Sequence, residues 1–235
     1  PKDIYSVSIM PCTAKKYECQ RPEMNASGFQ DVDAVLTTRE AAVMMKQLGI
    51  DLPNLEEENY DDPLGISTGA AVIFGNTGGV MEAALRTVYE IVTKKPLENV
   101  EITAVRGMEG IREAAIDLDG LIVKAAVANG LANARKLMDA IVKGEAEYHF
   151  VEIMACPGGC IGGGGQPIPT SLEIRKKRAE AIYQADRGLT IRKSHENPAV
   201  LKLYNEFLGK PNSHKAHELL HTKYTPKQVY KETAA

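Results

Sequence analysis

Apolar residues in the first part of the chain form short runs that alternate with helical patterns. Residues 4–10 and 33–37 are runs of strand length, and helical spacing follows each of them, from about residue 13 and over residues 39–48. Short apolar runs suit buried strands, whereas apolar residues three or four positions apart form one face of a helix. Residues 51–64 are acidic and contain two prolines, so we expect them to form a surface excursion.

The same alternation continues through the rest of the main body. It predicts, in chain order, a helix over residues 80–93 after a glycine-rich lead-in, a strand pair or meander over 101–105 and 120–128, a helix over 132–142, a strand over 150–154 and a charged helix over 171–185. Strands that alternate with helices indicate an α/β fold, here with sheets of mainly parallel strands flanked by helices.

The last part of the chain, from residue 194 onward, is polar and aromatic and has no strand pattern. We expect this part to wrap around the body rather than to form a core of its own. The predicted organisation is therefore one domain over residues 1–193 and an extended tail over residues 194–235 that packs on the same domain.

Length, composition and charge narrow the function classes. The chain has 235 residues, of which 44% are hydrophobic and 25% charged, and this is the balance of a globular protein. A net charge of −3 offers no general attraction to nucleic acid or to an anionic membrane. No apolar run approaches the length that spans a bilayer. We therefore expect neither nucleic acid nor a membrane as a partner.

The start of the sequence leads to one further expectation. Pro1 is not an initiator methionine, and the first strand pattern begins within a few residues, without a charged leader or an apolar signal core. We expect the sequence to be one piece of a longer polypeptide.

The chain contains four cysteines, Cys12, Cys19, Cys156 and Cys160. So few cysteines in a chain long enough for an ample core argue against a secreted domain held together by disulfides. Their grouping predicts ligands or chemistry in a reducing compartment, and we expect a cytoplasmic location.

The first cysteine motif, MPCTAKKYE, follows the first predicted strand. Its Cys12 lies between the end of a strand and the start of a helix, where open α/β sheets bind ligands. Helix-end N–H groups lower the pKa of a thiol there and favour anions. Lys15, about one helical turn further on, would place a cation beside the thiolate. The motif alone is equally compatible with a buried structural cysteine and a solvated lysine.

The second cysteine motif begins directly after the strand predicted over residues 150–154. The spacing Cys156-x3-Cys160 puts two thiolates within reach of one metal centre, and such thiolates hold iron–sulfur clusters. Six glycines between Gly158 and Gly165 remove side chains where the backbone must approach something bulky. Their N–H groups can also point at anionic ligands.

Three other kinds of site are less consistent with these motifs. A phosphate-binding loop would end in Gly-Lys-Ser/Thr, whereas Gln166 and Pro167 follow the last glycine. A structural zinc site could use all four cysteines, but Cys12 and Cys19 lack the usual short pairing. A redox disulfide would favour Cys-x-x-Cys, which is not the spacing here.

Two long motifs and the segments around them resemble those of [FeFe] hydrogenases. The runs MPCTAKKYE (residues 10–18) and EIMACPGGCIGGGGQP (152–167) are similar to the second and third active-site motifs of that family. The run GAAVIFGNTGGVMEAALR (69–86) is similar to the segment that closes over the cluster. VRGMEGI (105–111) and SHEN (194–197) fit later blocks, so the resemblance covers essentially the whole chain.

The resemblance implies a particular cofactor, the H-cluster. This is a [4Fe–4S] cubane joined through one cysteine sulfur to a di-iron centre that carries CO, cyanide and a bridging dithiolate amine. By the resemblance, Cys12 and Cys156 ligate the cubane, and Cys160 ligates it and also bridges to the di-iron centre. Lys15 would donate a hydrogen bond to a cyanide ligand.

The resemblance also implies which other residues surround the di-iron centre. Pro11 and the backbone of Gly75 would line it, Met10 and Met154 would pack around it, and Phe74 would shield it from water. For the methionines and Phe74, ordinary core packing is the alternative role. Cys19 matches no ligand of the family, and we expect it to have no metal role.

The sequence departs from the family at one motif. Thr-Ser-Cys-Cys-Pro, the family's first motif, does not occur in it. That motif supplies the fourth cubane ligand and the proton-delivering thiol. We therefore expect the chain to need the N-terminal remainder of the hydrogenase, in the same or a companion chain, and to be inactive alone. An electron donor or acceptor, such as ferredoxin or a pyridine-nucleotide-linked subunit, is the other expected partner.

The function implied by the resemblance is the reversible reduction of protons to H2. One alternative is a hydrogen sensor with the same cluster. Another is an iron–sulfur assembly or scaffold protein without the di-iron centre. Lys15, Met154 and the glycine run argue against the last alternative, because these residues serve the di-iron ligands in the family.

Three histidines in the tail offer a second pattern of metal ligands. His214, His217 and His221 recur at helical spacing, but simultaneous zinc ligation from so long a stretch of helix would be strained. We expect a surface helix there, and we expect His195 to act as a hydrogen-bonding residue.

Overall fold

The computed structural model describes residues 2–108 and 110–225 of the chain. Its strands and helices are, in chain order, β1 (Val7–Met10), α1 (Lys15–Glu18), β2 (Ala34–Thr37), α2 (Thr38–Gln47), α3 (Gly69–Val72), α4 (Gly79–Thr93), β3 (Ile111–Leu118), β4 (Leu121–Asn129), α5 (Leu131–Val142), β5 (Phe150–Met154), α6 (Leu172–Gly188), α7 (Pro198–Leu203) and α8 (His214–Leu220). Within this described part, no helix is long and apolar enough to cross a membrane.

Most of the predicted elements are confirmed. The helices predicted over residues 39–48, 80–93 and 132–142 and the strand over 150–154 agree with α2, α4, α5 and β5 to within one residue at each end. Helix α6 runs three residues further than predicted, and α1 is only four residues long.

Strands β1 and β2 form a two-stranded parallel sheet in which Met10 pairs with Thr37. Helix α2 begins where β2 ends, because Thr37 and Glu40 cap each other. The Thr37 Oγ1 accepts a hydrogen bond from the Glu40 N–H (3.2 Å), and the Glu40 carboxylate accepts one from the Thr37 N–H (2.8 Å). Because the carboxyl ends of parallel strands share one edge, Cys12 lies beside the start of α2.

Strands β3, β4 and β5 form a second sheet in that order, with β3–β4 antiparallel and β4–β5 parallel. Asp119 and Gly120, both with positive φ, form the tight hairpin turn between β3 and β4. The predicted strand over 120–128 is confirmed as β4, but its pairing with residues 101–105 is wrong. Thr103–Val105 is a 3₁₀ turn, and β3 is the partner. The sequence signal for the β3–β4 hairpin was the Asp119-Gly120 pair, which is typical of tight hairpin turns.

The fold class is α/β, as predicted from the alternation of strands and helices. Among the described residues, two of the three strand pairings are parallel. The second half of the central strand β4, residues 125–129, is buried on both faces, as expected for the middle strand of a covered sheet. One face packs against Met81, Leu85 and Val105, and the other against Ala134 and Leu137 of α5.

Helix α6 docks on α3 and α4 through an apolar contact and a buried ionic network. Ile182 and Tyr183 pack against Ala70, Ile73 and Ala83. The Arg86 guanidinium makes paired hydrogen bonds of 2.8 and 2.9 Å with the Asp186 carboxylate and a third, of 2.8 Å, with Glu82. All three charged side chains are completely buried, so each depends on the others for compensation of its charge.

After α6 the chain crosses back over the body. Residues 194–225 form helices and turns only, and the Asn197 amide donates a 2.8 Å hydrogen bond to the Ile66 carbonyl. This placement agrees with a tail that packs on the body. The division at residue 193 stays a prediction, and the last part of the predicted tail, residues 226–235, lies outside the described residues.

Candidate metal centre

The two cysteine motifs, which lie far apart in the sequence, contact each other in the fold. The Gly165 N–H donates a 2.9 Å hydrogen bond to the carbonyl of Pro11, next to Cys12. A Cβ at Gly163 would lie only 2.1 Å from the same carbonyl oxygen, so only glycine permits this approach. The loop that follows Cys160 is thereby seated on the carboxyl end of β1.

Three thiols face a common space at this contact. Cys12, Cys156 and Cys160 are partly exposed and unoxidised. Burial raises the pKa of the Cys160 thiol, and the neighbouring thiols of Cys12 and Cys156 raise it further, whereas the Lys15 ammonium lowers it. Burial and then Cys12 likewise raise the pKa of Cys156. Mutual effects of this kind require that the groups lie close together.

The spacing of the three sulfurs bears on whether they hold a single ion or a cluster. A tetrahedral zinc ion with thiolates at about 2.3 Å would hold them about 3.8 Å apart. Within the described residues, only Glu90, His195 and Glu196 bring three ligand atoms within 4.8 Å of one another. The three cysteine sulfurs do not all lie within that distance of one another. A cluster, whose irons each take a different thiolate, fits this donor set.

Cys19 is separate from the other thiols. It is buried, and its thiol donates a 3.4 Å hydrogen bond to the carbonyl of Lys16. The structure therefore gives it a packing role at the C-terminal end of α1, and its lack of a metal role stays a prediction.

Lys15 lies beside the thiols, with its ammonium turned to Glu18. It donates a hydrogen bond to the Glu18 carboxylate, three residues further along the chain. Burial alone would lower the pKa of Lys15, but this hydrogen bond and the charges of Glu18 and Cys12 outweigh it, so the pKa is raised. Lys15 is therefore a permanent cation at the site. Glu18 was missed, although an i, i+3 pair of opposite charges is a known helix contact.

The residues predicted to pack around the cofactor lie at the ends of the elements that carry the cysteines. Met10 ends β1 and Met154 ends β5, and both are half-buried. Pro11 is also half-buried. Phe74 keeps 46% of its surface exposed, so this chain alone does not enclose its ring. The roles of all four stay predictions.

The turn that carries Phe74 and Gly75 touches the second cysteine motif. A Cβ at Gly159 would lie 2.7 Å from both the Gly75 carbonyl oxygen and the Thr77 nitrogen, and the φ of Gly159 is +97°. The Thr77 N–H also donates a 3.0 Å hydrogen bond to the carbonyl of Gly158. The structure therefore brings the Gly75 turn against the second cysteine motif, and the role of Gly75 at the cofactor stays a prediction.

The glycine run has a different role from the one expected for its N–H groups. Those of Gly159, Gly162, Gly163 and Gly165 donate to backbone carbonyls at 2.9–3.0 Å, so they are not free to bind an anion. The physical reason is that the loop folds on itself and on β1. These glycines allow backbone segments to pack closely, as their lack of side chains predicted.

Sequence reasoning missed three polar residues that hold the site together: Thr77, Asn129 and Glu152. The Glu152 carboxylate, buried in β5, accepts hydrogen bonds from the Gly78 N–H (2.6 Å) and the Met81 N–H (2.7 Å) at the start of α4. No local sequence pattern could predict that Glu152 accepts these hydrogen bonds, because the acceptor and the donors are more than 70 residues apart.

His195 is a hydrogen-bonding residue, as predicted. Its Nδ1 lies 3.0 Å from the Thr87 hydroxyl, and its Nε2 lies 2.7 Å from the Glu90 carboxylate. With Glu196 these residues form a metal-type grouping. The Lys193 ammonium already lies 2.6 Å from Glu90 and 2.9 Å from Glu196. Because this lysine supplies the positive charge, the grouping is an ion-pair cluster that anchors the tail.

The tail histidines do not converge as a trio. The rings of His217 and His221 meet edge to face at 4.5 Å, while His214 is exposed and lies 3.8 Å from Glu218. The prediction of a surface helix rather than a zinc site agrees with this arrangement.

Comparison with known families matches the chain to two models. The model described as "Iron only hydrogenase large subunit, C-terminal domain" matches residues 1–164. The model described as "Iron hydrogenase small subunit" matches residues 172–227.

Individual relatives agree with the family models. A subunit of the NADP-reducing hydrogenase of Solidesulfovibrio fructosivorans is 52% identical over 94% of this chain and 38% of the relative. The solved [FeFe]-hydrogenase of Chlamydomonas reinhardtii, as a variant, shares 45% identity with a TM-score of 0.77, over 95% of this chain and 64% of that chain. A cytosolic Fe-S cluster assembly factor of Xenopus tropicalis is 32% identical over 95% of this chain and 48% of the relative. The chain thus spans only about two-fifths to two-thirds of these proteins, and its cytoplasmic location stays a prediction.

Proposed function

The chain belongs to the iron-only hydrogenase family, and from that premise we propose that it forms part of the active-site domain of an enzyme that interconverts H2 with two protons and two electrons. The observation that carries the proposal is the meeting of Cys12, Cys156 and Cys160 beside the Lys15 ammonium. Three thiolates are the donor set that iron–sulfur clusters use.

In the proposed site, Cys12, Cys156 and Cys160 would hold the iron–sulfur cluster through their thiolates. When bound, the cluster supplies the redox chemistry of the reaction. Lys15 contributes a fixed positive charge and N–H donors for a compact anionic ligand such as cyanide. To reach such a ligand, its ammonium must turn away from Glu18.

The rest of the proposed machinery comes from a partner segment. The first motif of the family, which supplies the fourth cubane ligand and the proton-delivering thiol, is not in this sequence. We propose that a polypeptide with that motif completes the site, and that the chain is inactive without it. A ferredoxin or a pyridine-nucleotide-linked subunit would be the electron donor or acceptor.

The decisive experiment is infrared spectroscopy on the assembled protein. The chain is produced together with a polypeptide that carries the first motif, in a host that matures [FeFe] hydrogenases. We expect bands from metal-bound CO and cyanide, together with H2 evolution when a strong reductant is supplied. A fully iron-loaded protein without these bands would contradict the proposal.

Lys15 provides a sharper test within the same experiment. Lys15→Asn removes the charge beside the thiols, and we expect a large loss of the CO and cyanide bands. Lys16→Asn is the matched control, because the Lys16 ammonium is directed to the Val35 carbonyl (2.9 Å) and the Glu40 carboxylate (2.8 Å) instead. Equal band intensity in both variants would refute the role of Lys15.

The second candidate is an iron–sulfur assembly function without a di-iron centre. The similarity to the Xenopus tropicalis assembly factor favours it, although the identity is lower, at 32% against 52% for the hydrogenase subunit. In that case the protein would bind a cubane, and infrared bands from CO and cyanide would be absent.

A further inference from the structure

Asn129 lies between two segments of the site and bonds both of them. It is the last residue of β4, and its amide is buried. The Nδ2 group donates to the carbonyl of Cys156 at 2.7 Å and to the hydroxyl of Thr77 at 3.0 Å, with a longer contact of 3.5 Å to the Met154 carbonyl. One amide therefore connects a cluster-binding cysteine to the Gly75 turn.

The position of Asn129 is itself rigidly set. Strand β4 pairs with β5 so that Asn129 lies opposite Met154, and the Gly130 N–H donates a 2.7 Å hydrogen bond to the Met154 carbonyl. The amide thus projects from the end of a central strand, which is among the least mobile parts of a sheet. The two N–H groups of the Asn129 amide can therefore hold the Cys156 carbonyl and the Thr77 hydroxyl at a fixed distance.

The turn on the other side of the amide is held by two further contacts. The Thr77 N–H donates to the Gly158 carbonyl at 3.0 Å, and the Glu152 carboxylate accepts the N–H of Gly78 at 2.6 Å. These bonds fix where the turn begins α4, but neither reaches Cys156 itself. Asn129 alone among the three contacts bonds the backbone of a predicted cluster ligand.

We propose that Asn129 is a positioning residue of the cluster site: its amide sets the distance between the Cys156 backbone and the Gly75 turn, and its N–H dipole acts on the cluster through the Cys156 carbonyl. The inference rests on the proposed function for its electronic part. The other part, the distance that the amide sets between Cys156 and the Gly75 turn, concerns only this chain. An N–H donor directed at a ligand backbone favours the more negative, reduced state of a cluster, so its loss lowers the reduction potential.

The test compares Asn129→Leu with Asn133→Leu. Leucine is close to asparagine in shape but cannot donate. Asn133 is the matched control, because its amide donates a 2.7 Å hydrogen bond to the carbonyl of Asn129 rather than to the cysteine loop. In the chain without cofactor, we expect amide hydrogen exchange of Thr77 and Gly159 to quicken about fivefold to tenfold in Asn129→Leu only, the effect of losing a buried hydrogen bond.

In the assembled, cluster-loaded protein, we expect Asn129→Leu to lower the cubane potential and to shift the infrared bands of CO and cyanide, while Asn133→Leu leaves both unchanged. Thr77→Val should give a smaller shift, and Thr77→Ser, which keeps the hydroxyl, should behave like the parent. A general loosening of the fold would lower the melting temperature, so a shift in the cubane potential and the infrared bands at an unchanged melting temperature would indicate a positioning role.

The outcomes separate this inference from the proposed function. Unchanged exchange and unchanged bands in Asn129→Leu, or equal changes in both asparagine variants, would overturn the positioning role. Absence of CO and cyanide bands in the parent protein would instead sink the hydrogenase proposal. In that case the exchange experiment still decides whether Asn129 holds the cysteine loop against the turn.

Discussion

Replacing Asp186 with asparagine should strongly destabilise the chain, although the change is nearly isosteric. The Asp186 carboxylate accepts two hydrogen bonds from Arg86, at 2.8 and 2.9 Å, and two from Arg192, at 3.2 and 2.6 Å. Its side chain and that of Arg86 are buried. An asparagine offers one oxygen and turns an NH2 group toward the two guanidinium groups.

The magnitude follows from the charge that is left unpaired. Although burial opposes ionisation, the hydrogen bonds and charges of Arg86 and Arg192 lower the pKa of Asp186 from 3.8 to about 2. That shift corresponds to about 2 kcal/mol of stability that protonation removes. The substitution also leaves Arg86 buried without its partner, which brings the expected cost to about 3–5 kcal/mol. This is a large part of the stability of an ordinary domain, about 5–15 kcal/mol.

The assay is urea unfolding of the chain, followed by circular dichroism, with Glu180→Gln as the control on the exposed side of the same helix. We expect the control to stay within about 0.5 kcal/mol of the parent. Because the pKa of Asp186 is lowered on folding, its contribution is complete above about pH 4 and is lost as the pH falls toward 2. A loss below about 1 kcal/mol in Asp186→Asn, or an unchanged acid profile, would refute the reasoning.

Three further changes have defined outcomes. In Gly159→Ala the new Cβ would lie 2.7 Å from the Gly75 carbonyl oxygen, on a residue whose φ is +97°. We expect a loss of about 2–3 kcal/mol in the free energy of unfolding by urea and faster alkylation of the adjacent Cys160 thiol. Unchanged values would mean that the turn can move freely. Thr37→Ala removes the capping box of α2 and should cost about 1 kcal/mol, with Thr37→Ser restoring it. Glu90→Gln should flatten the acid limb of stability between about pH 4 and 2, because the Lys193 and His195 hydrogen bonds outweigh burial and hold the pKa of Glu90 at about 2.

Much of the fold could be predicted from apolar spacing within single segments. Helix α4 and the strand before Cys156 agree with their predicted bounds because each is defined by apolar spacing within its own segment. The β3 strand was missed for the opposite reason: its exposed, charged face weakens the alternation that marks a strand, and its partner is settled by the Asp119–Gly120 turn. Pairing is a property of two segments and the turn between them.

The sequence by itself determined that this chain carries two cysteine motifs suited to an iron–sulfur site, and which cysteines belong to them. That information is local, because spacing and neighbouring residue types specify the chemistry. Only the tertiary structure decided that Cys12 lies near Cys160 and that Asn129 bonds the Cys156 carbonyl. It also paired Arg86 with Asp186, one hundred residues away. Such contacts join segments whose separate patterns say nothing of one another, and they arise only when the sheets and helices pack and every buried polar group must find a partner.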